Sequence, residues 1–250
     1  STSLIFYDSM LSDVTEPERM DEVSSQGYAW GYIGSCVPFI ASLGIVLGNE
    51  ALGISMTVAM GISFFLNAAW WLVLTLPLLR HYKQTHYSPK RQHAVRDAFG
   101  TLYRTFREMK SQKHIFLFLL SFFFFIDGVY TVIDMATAFG SALGFDSTML
   151  LLALLLTQIV AFPFALLFGK VAKKYRNDVL IKVCIVAYTA IALFAIQLDQ
   201  AWEFWLLAGC VGMFQGGIQA LSRSEYGKLI PKERANEYYG FFDIFGKYAA

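Results

Sequence analysis

Residues 51–79 contain no Asp, Glu, Lys or Arg over 29 positions. A helix needs roughly 20 mostly apolar residues, each rising 1.5 Å, to cross a hydrocarbon core of about 30 Å. This segment is long enough to span a bilayer and must tilt or extend past the core. Five further runs behave alike. Residues 28–48, 147–169 and 204–222 carry no charge, residues 114–144 hold two aspartates, and residues 179–198 hold only Lys182. Lys182 lies near one end, where its ammonium can reach the interface. The runs are about twice the length of a barrel strand and do not alternate, so helices are expected.

Composition agrees. Of the 250 residues 56% are hydrophobic and 16% are charged, against about 25% charged in an average soluble domain. The 20 Lys and Arg face 19 Asp and Glu, which excludes the strongly basic balance of a nucleic-acid binder. Cys36, Cys184 and Cys210 sit far apart in apolar runs. They suggest neither a zinc site nor a bridge framework and are read as small hydrophobes. The first seven residues resemble the tail of an apolar segment, and the chain ends at Ala250 within another. The expectation is an internal fragment of a longer polypeptide.

The connections set orientation. Segments 8–26, 80–113, 170–176 and 223–234 hold 1, 9, 4 and 4 Lys and Arg, whereas the alternate connections near 49–50, 145–146 and 199–203 hold none. Such strict alternation places the four basic segments in the cytoplasm and the three short ones outside. All four histidines, His81, His86, His93 and His114, lie in or beside segment 80–113. Their spacing matches no metal-ligand pattern, so they are read as solvated. Within the same segment Phe99, Leu102, Tyr103, Phe106 and Met109 repeat at helical spacing, with Arg96, Arg104, Arg107 and Lys110 at other positions. That pattern predicts a basic amphipathic helix at the cytoplasmic headgroups.

Ionisable residues inside spans are costly, about 2.5–3.5 kcal/mol at the bilayer centre on insertion scales, and are functional candidates by default. Asp127 lies about 20 Å into its span from the cytoplasmic side. Thr131 and Asp134 follow four and seven residues later on the same face. Asp127 is the stronger candidate, as a proton carrier or as a partner for a cationic substrate group. The structural alternative is a carboxylate satisfied by nearby backbone or hydroxyls. Gln215, Gln219 and Ser222 form a polar stripe beside Gly212, Gly216 and Gly217. Such a stripe can line a cavity or join two helices closely. The pairs Gly27/Gly31 and Gly44/Gly48 have small-residue spacing and are read as packing surfaces. In the last segment Asn236, Gly240, Asp243 and Lys247 share one face, and Asp243 and Lys247 can pair. No phosphate-binding lysine loop, H-E-x-x-H or G-x-S-x-G motif is present, so no enzyme activity, metal or cofactor is expected.

Some stretches carry a family resemblance. Gly169-Lys-Val-Ala-Lys-Lys-Tyr-Arg resembles a worn copy of the major facilitator loop motif, with Lys173 in place of its aspartate. More specific are Phe6-Tyr-Asp-Ser-Met-Leu with Val23-Ser-Ser-Gln-Gly-Tyr-Ala-Trp-Gly-Tyr-Ile-Gly, and Phe125-Ile-Asp-Gly-Val-Tyr-Thr-Val. The third is Gln215-Gly-Gly-Ile-Gln-Ala-Leu-Ser-Arg-Ser, continuing to Tyr239-Gly-Phe-Phe-Asp. Together they resemble the vacuole effluxer-like branch of the major facilitator superfamily.

The resemblance implies an all-α polytopic membrane protein of two six-helix halves around a central cavity. This chain would hold six complete helices and partial helices at both ends. Residues 1–79 would close the first half, residues 80–113 would link the halves, and residues 114–250 would belong to the second. It further implies a secondary transporter of small solutes, since a fungal member is linked to amino-acid efflux from the vacuole. Proton coupling is a further expectation. The compact external loops look more like bacterial members, which implies a bacterial inner membrane rather than a vacuole. Asp127, Thr131, Asp134, Gln215 and Gln219 are then substrate or coupling candidates. Arg223, Glu225, Asp243 and Lys247 are cytoplasmic gate candidates. The rival reading is a transporter-shaped sensor that binds a ligand without moving it and signals through the basic helix.

Overall fold

The computed structural model describes residues 2–85 and 94–249, with side chains from 4 to 85 and from 100 to 248. The described residues are helical, with no strand among them. Ten α-helices follow in order. They are α1 (Thr2–Ser9), α2 (Leu11–Val14), α3 (Met20–Leu47), α4 (Met56–His81), α5 (Ala94–Ser111), α6 (Lys113–Ala142), α7 (Ser147–Val171), α8 (Asn177–Ala195), α9 (Ala201–Leu229) and α10 (Ala235–Ala249). Six of them, α3, α4 and α6 to α9, are long and apolar enough to cross a membrane. His86, His93, Phe99 and Arg96 lie outside the described side chains.

Local chemistry sets several boundaries. Ser55 caps α4 by accepting from the Val58 amide, and Asp146 caps α7 by accepting from the Thr148 amide at 2.8 Å. The Thr148 side chain and amide together hold the Asp146 carboxyl below its usual range, as expected of a carboxylate at a helix N-terminus. Gln200 and Glu203 form a reciprocal capping box at the start of α9, which satisfies two otherwise orphaned backbone donors.

Two boundaries differ from the sequence reading. The expected span at 28–48 begins eight residues earlier, at Met20, and the expected loop at 223–234 is helical through Leu229. The cause is the same in both places. Asp21, Ser24, Ser25 and Arg223 are buried where the two helix ends meet. Of these, Asp21, Ser24 and Arg223 read as loop but are hydrogen-bonded between helices instead.

The core lies among α6, α8, α9 and α10, around Ile126, Val129, Cys184, Tyr188, Val211 and Ile218. An aromatic stack closes its lower part. Phe122 lies 4.1 Å from Phe242, and Phe242 lies 5.1 Å from Tyr226, with both pairs stacked. α7 packs most extensively on α9, and α3 packs on both. Glycines allow this. A Cβ at Gly212 would meet the Thr157 carbonyl oxygen at 2.6 Å, and one at Gly216 would meet the Ala165 Cβ at 2.8 Å. A Cβ at Gly31 or Gly44 would meet nothing within 4 Å from another element, so neither glycine is required for close helix approach here. α4 exposes Phe64, Phe65 and Trp71, a surface suited to lipid.

Candidate functional site

The site begins with Arg223, near the end of α9. Its side chain is 3% exposed, so each donor needs a partner. Nε donates to the Ser24 hydroxyl at 2.9 Å and Nη2 to the Ser24 carbonyl at 3.1 Å, while Nη1 lies 3.3 Å from Asp8 Oδ1. The guanidinium carbon sits 5.0 Å from the ring centre of Tyr7 and 4.7 Å from that of Tyr28. This is cation–π contact on two rings. A Cβ at Gly27 would fall 2.8 Å from the Tyr7 hydroxyl and 3.3 Å from Arg223 Nη2, so a side chain there would press on the tips of both. Ser24 in turn donates to the Ala220 carbonyl at 2.8 Å. From the far side Tyr239 donates to the Arg223 carbonyl at 3.0 Å.

Further bonds tie the same helix ends. Lys228 contacts Asp21 at 2.6 Å, and Asn177 donates to Asp21 at 2.6 Å. Lys173 pairs with Glu22 at 2.9 Å and Lys232 with Glu16 at 2.5 Å. Ser9 donates to Asn236. A Cβ at Gly169 would lie 2.7 Å from the Ser25 Cβ. Lys173, standing where the loop motif has its aspartate, thus meets Glu22 on α3. These ion pairs all join the segment before α4 to α7, α9 and their flanking loops. They also lie at the end of the bundle that carries the basic connections.

Beyond this latch lies a cavity of about 350 Å3 bounded by α1, α3, α6 and α10. Asp8 and Tyr7 line it. Tyr28, Tyr130, Phe122 and Phe242 supply aromatic wall, and Asp134, Asp243 and Lys247 supply charge. Lys247 donates to Asp243. Asp134 has no hydrogen bond or ion pair among the described residues.

The sequence candidates separate as follows. Asp134, Asp243 and Lys247 meet in this cavity, with Arg223 directly beneath through Asp8. Asp127 is exposed on the same face of α6, outside the cavity wall. Thr131 faces a separate apolar hollow between α6 and α8. Gln219 accepts from Tyr32 at 2.7 Å and bridges α9 to α3. Gln215 is buried, has an unpartnered Oε1, and lines a small pocket of about 60 Å3 with Thr157 and Gln158. Glu225 lies 4.0 Å from Lys228 rather than beside Arg223. Asp8, Ser24, Tyr28 and Asp21 were not singled out from sequence. Their signal was polar and aromatic residues flanking an apolar run, and it carried no information about a partner some 200 positions away.

A family model described as vacuole effluxer Atg22 like matches residues 8–250. An uncharacterized MFS-type transporter, YxiO, of Bacillus subtilis is 44% identical over 98% of this chain and 58% of its own length. Autophagy-related protein 22 of Coccidioides immitis is 25% identical over 95% of this chain and 46% of its own length. Autophagy-related protein 22-1 of Penicillium rubens is 27% identical over 90% of this chain and 42% of its own length. The chain therefore spans about half the length of these relatives. No solved structure matches it. On the match across residues 8–250, and with its helical polytopic fold, the chain belongs to the vacuole effluxer Atg22-like family of major facilitator type.

Proposed function

We propose that this chain forms the cavity-and-gate region of a secondary transporter of small solutes working by alternating access. The arrangement described above is its state closed at the cytoplasmic end. The observation that carries this reading is the one-sided latch. Arg223, Lys228, Lys173 and Lys232 pair with Asp8, Asp21, Glu22 and Glu16 at the basic end, and a charged cavity lies directly beyond. In this reading residues 1–79 belong to one half and residues 114–250 to the other, joined by residues 80–113. Opening the latch would admit cytoplasm to the cavity, so Arg223, with Asp8, is the gate. The relatives' names, an MFS-type transporter and proteins of the vacuole effluxer family, favour the same class.

The solute is an amino acid in this proposal. The cavity offers both signs, with Asp134 for the ammonium group and Lys247 for the carboxylate, and Asp243 holds Lys247 in place. Asp127, exposed on the α6 face that leads to Asp134, is the proton-responsive group. Gln215 is a hydrogen-bonding liner beside the path. The membrane is a bacterial inner membrane, with segments 80–113, 170–176 and 223–234 facing the cytoplasm.

The test is counterflow of labelled amino acids by the full-length protein in proteoliposomes, with and without an imposed pH gradient. Wild type is expected to show substrate-specific flux that responds to the gradient. Asp134→Asn should lose flux, and Asp127→Asn should keep flux but lose its pH response. Flux of any solute with no pH response in wild type removes the proton role alone. Specific ligand binding without flux would instead favour the sensor.

A further inference from the structure

α5 has two unlike faces. Its inner face is fastened to the α9–α10 connection by a polar cluster. Arg234 donates to Glu237 at 2.9 and 2.7 Å and also to Glu108 and Thr105, while Thr105 donates to Glu237 at 2.8 Å. Thr105 and Met109 are buried, and Tyr226 points its hydroxyl at the Met109 sulfur. The flanking carboxylates hold the Arg234 guanidinium charged, against the opposing effect of its burial.

The outer face is different. Tyr103 is 72% exposed, and Arg107 and Lys110 follow at four and seven residues, exposed and without an ion pair among the described residues. Leu102 and Phe106 flank this stripe, and Lys113 continues it into α6. Glu108, the carboxylate next to Arg107 in sequence, pairs with Arg234 and lies 3.6 Å from Arg104. Only Gln112 separates α5 from α6, a membrane-length helix, so the stripe lies at the bilayer surface. Cations interleaved with half-exposed apolar and aromatic residues complement an anionic headgroup layer above acyl chains.

We propose that this face of α5 binds anionic phospholipid, and that the Arg234 cluster transmits the binding to the latch. The route is short. Glu237 precedes Tyr238 and Tyr239, and Tyr239 donates to the Arg223 carbonyl. Lipid bound to α5 therefore steadies the α9–α10 connection in its latched position. The lipid surface stands on α5 alone, whereas its effect on the gate rests on the transport reading above.

The test places the full-length protein in nanodiscs of phosphatidylcholine, with or without one third phosphatidylglycerol, and follows amide hydrogen exchange. Attraction of several basic residues to an anionic surface predicts exchange of α5 slowed on the order of tenfold by phosphatidylglycerol. R107E/K110E should abolish that difference. Slowing should spread to residues 235–239 in wild type. In Arg234→Gln it should stay confined to α5, and Arg234→Lys should restore part of the spread. Equal exchange of α5 in both lipids, or a difference that survives R107E/K110E, overturns the lipid site. The same slowing by soluble glycerol phosphate in phosphatidylcholine discs also overturns it, as a site for a free anion. Slowing of α5 that never reaches residues 235–239 overturns the coupling and leaves the lipid site standing. None of these readouts requires flux, so failure of the transport reading would be seen separately.

Discussion

A guanidinium that is 3% exposed, between two helices and under two tyrosine rings, is costly to disturb. Replacing it with apolar residues of matched shape throughout could be neutral, but removing one partner strands the rest. Arg223→Ala leaves the half-buried Asp8 without its cation and takes both donors from Ser24. A loss of about 3–5 kcal/mol is expected for such a broken pair. Arg223→Lys keeps the charge but lacks the fork that reaches the Ser24 hydroxyl, the Ser24 carbonyl and Asp8 together. It should fall between wild type and Ala. Thermal unfolding of the three proteins in one detergent checks the order, and equal midpoints would refute a buried anchoring role. The same residue marks a limit of sequence reading. Arg223 ends an apolar run, so by hydropathy it opens a loop and leads to a gate candidate of unknown partner. Asp8 and Tyr28 become legible only when α1 and α3 are seen against α9.

At the scale of the element, glycine separates packing from idle spacing. Gly212 faces the Thr157 carbonyl, a backbone atom that cannot turn aside. Gly212→Ala must push α7 from α9, and overpacking of this kind costs about 1–3 kcal/mol. Gly44 faces open space, so Gly44→Ala should be neutral or stabilising by up to about 1 kcal/mol through helix propensity. Opposite shifts in unfolding midpoint are the expected result, and a neutral Gly212→Ala would show that α7 and α9 are not packed as described. Spans were legible because uncharged runs of this length have few alternatives in a bilayer. Span ends were less so, since Asp21, Ser24 and Ser25 are polar yet buried at the start of α3. Helical continuation there depends on partners that hydropathy does not see.

For the whole molecule, if the proposed alternating access holds, the asymmetry of the latch predicts how the balance between open and closed can be moved. Lys228 and Asp21 are 26% and 12% exposed, so their attraction is less screened than that of a surface pair. Lys228→Glu replaces the attraction with repulsion and adds a second carboxylate beside Glu225. If the pair biases the closed end by about 1.4 kcal/mol, its loss multiplies the open population tenfold. Asp21→Lys alone sets two lysines together and should act in the same direction. The double reversal Asp21→Lys/Lys228→Glu re-forms the pair, and Asn177 can present its amide oxygen to a lysine as it now presents its amide nitrogen to Asp21. Rescue should be partial, because Glu225 still faces the new glutamate. Spin labels at the exposed residues Glu18 and Glu233, on opposite sides of the latch, read the distance between the two groups of helices. Wild type should give one short distance. Each single reversal should add a longer one, and the double reversal should recover most of the short one. A double reversal no better than its parents would mean that the two charges act independently. The bias toward the closed end would then rest on Arg223 and its neighbours alone.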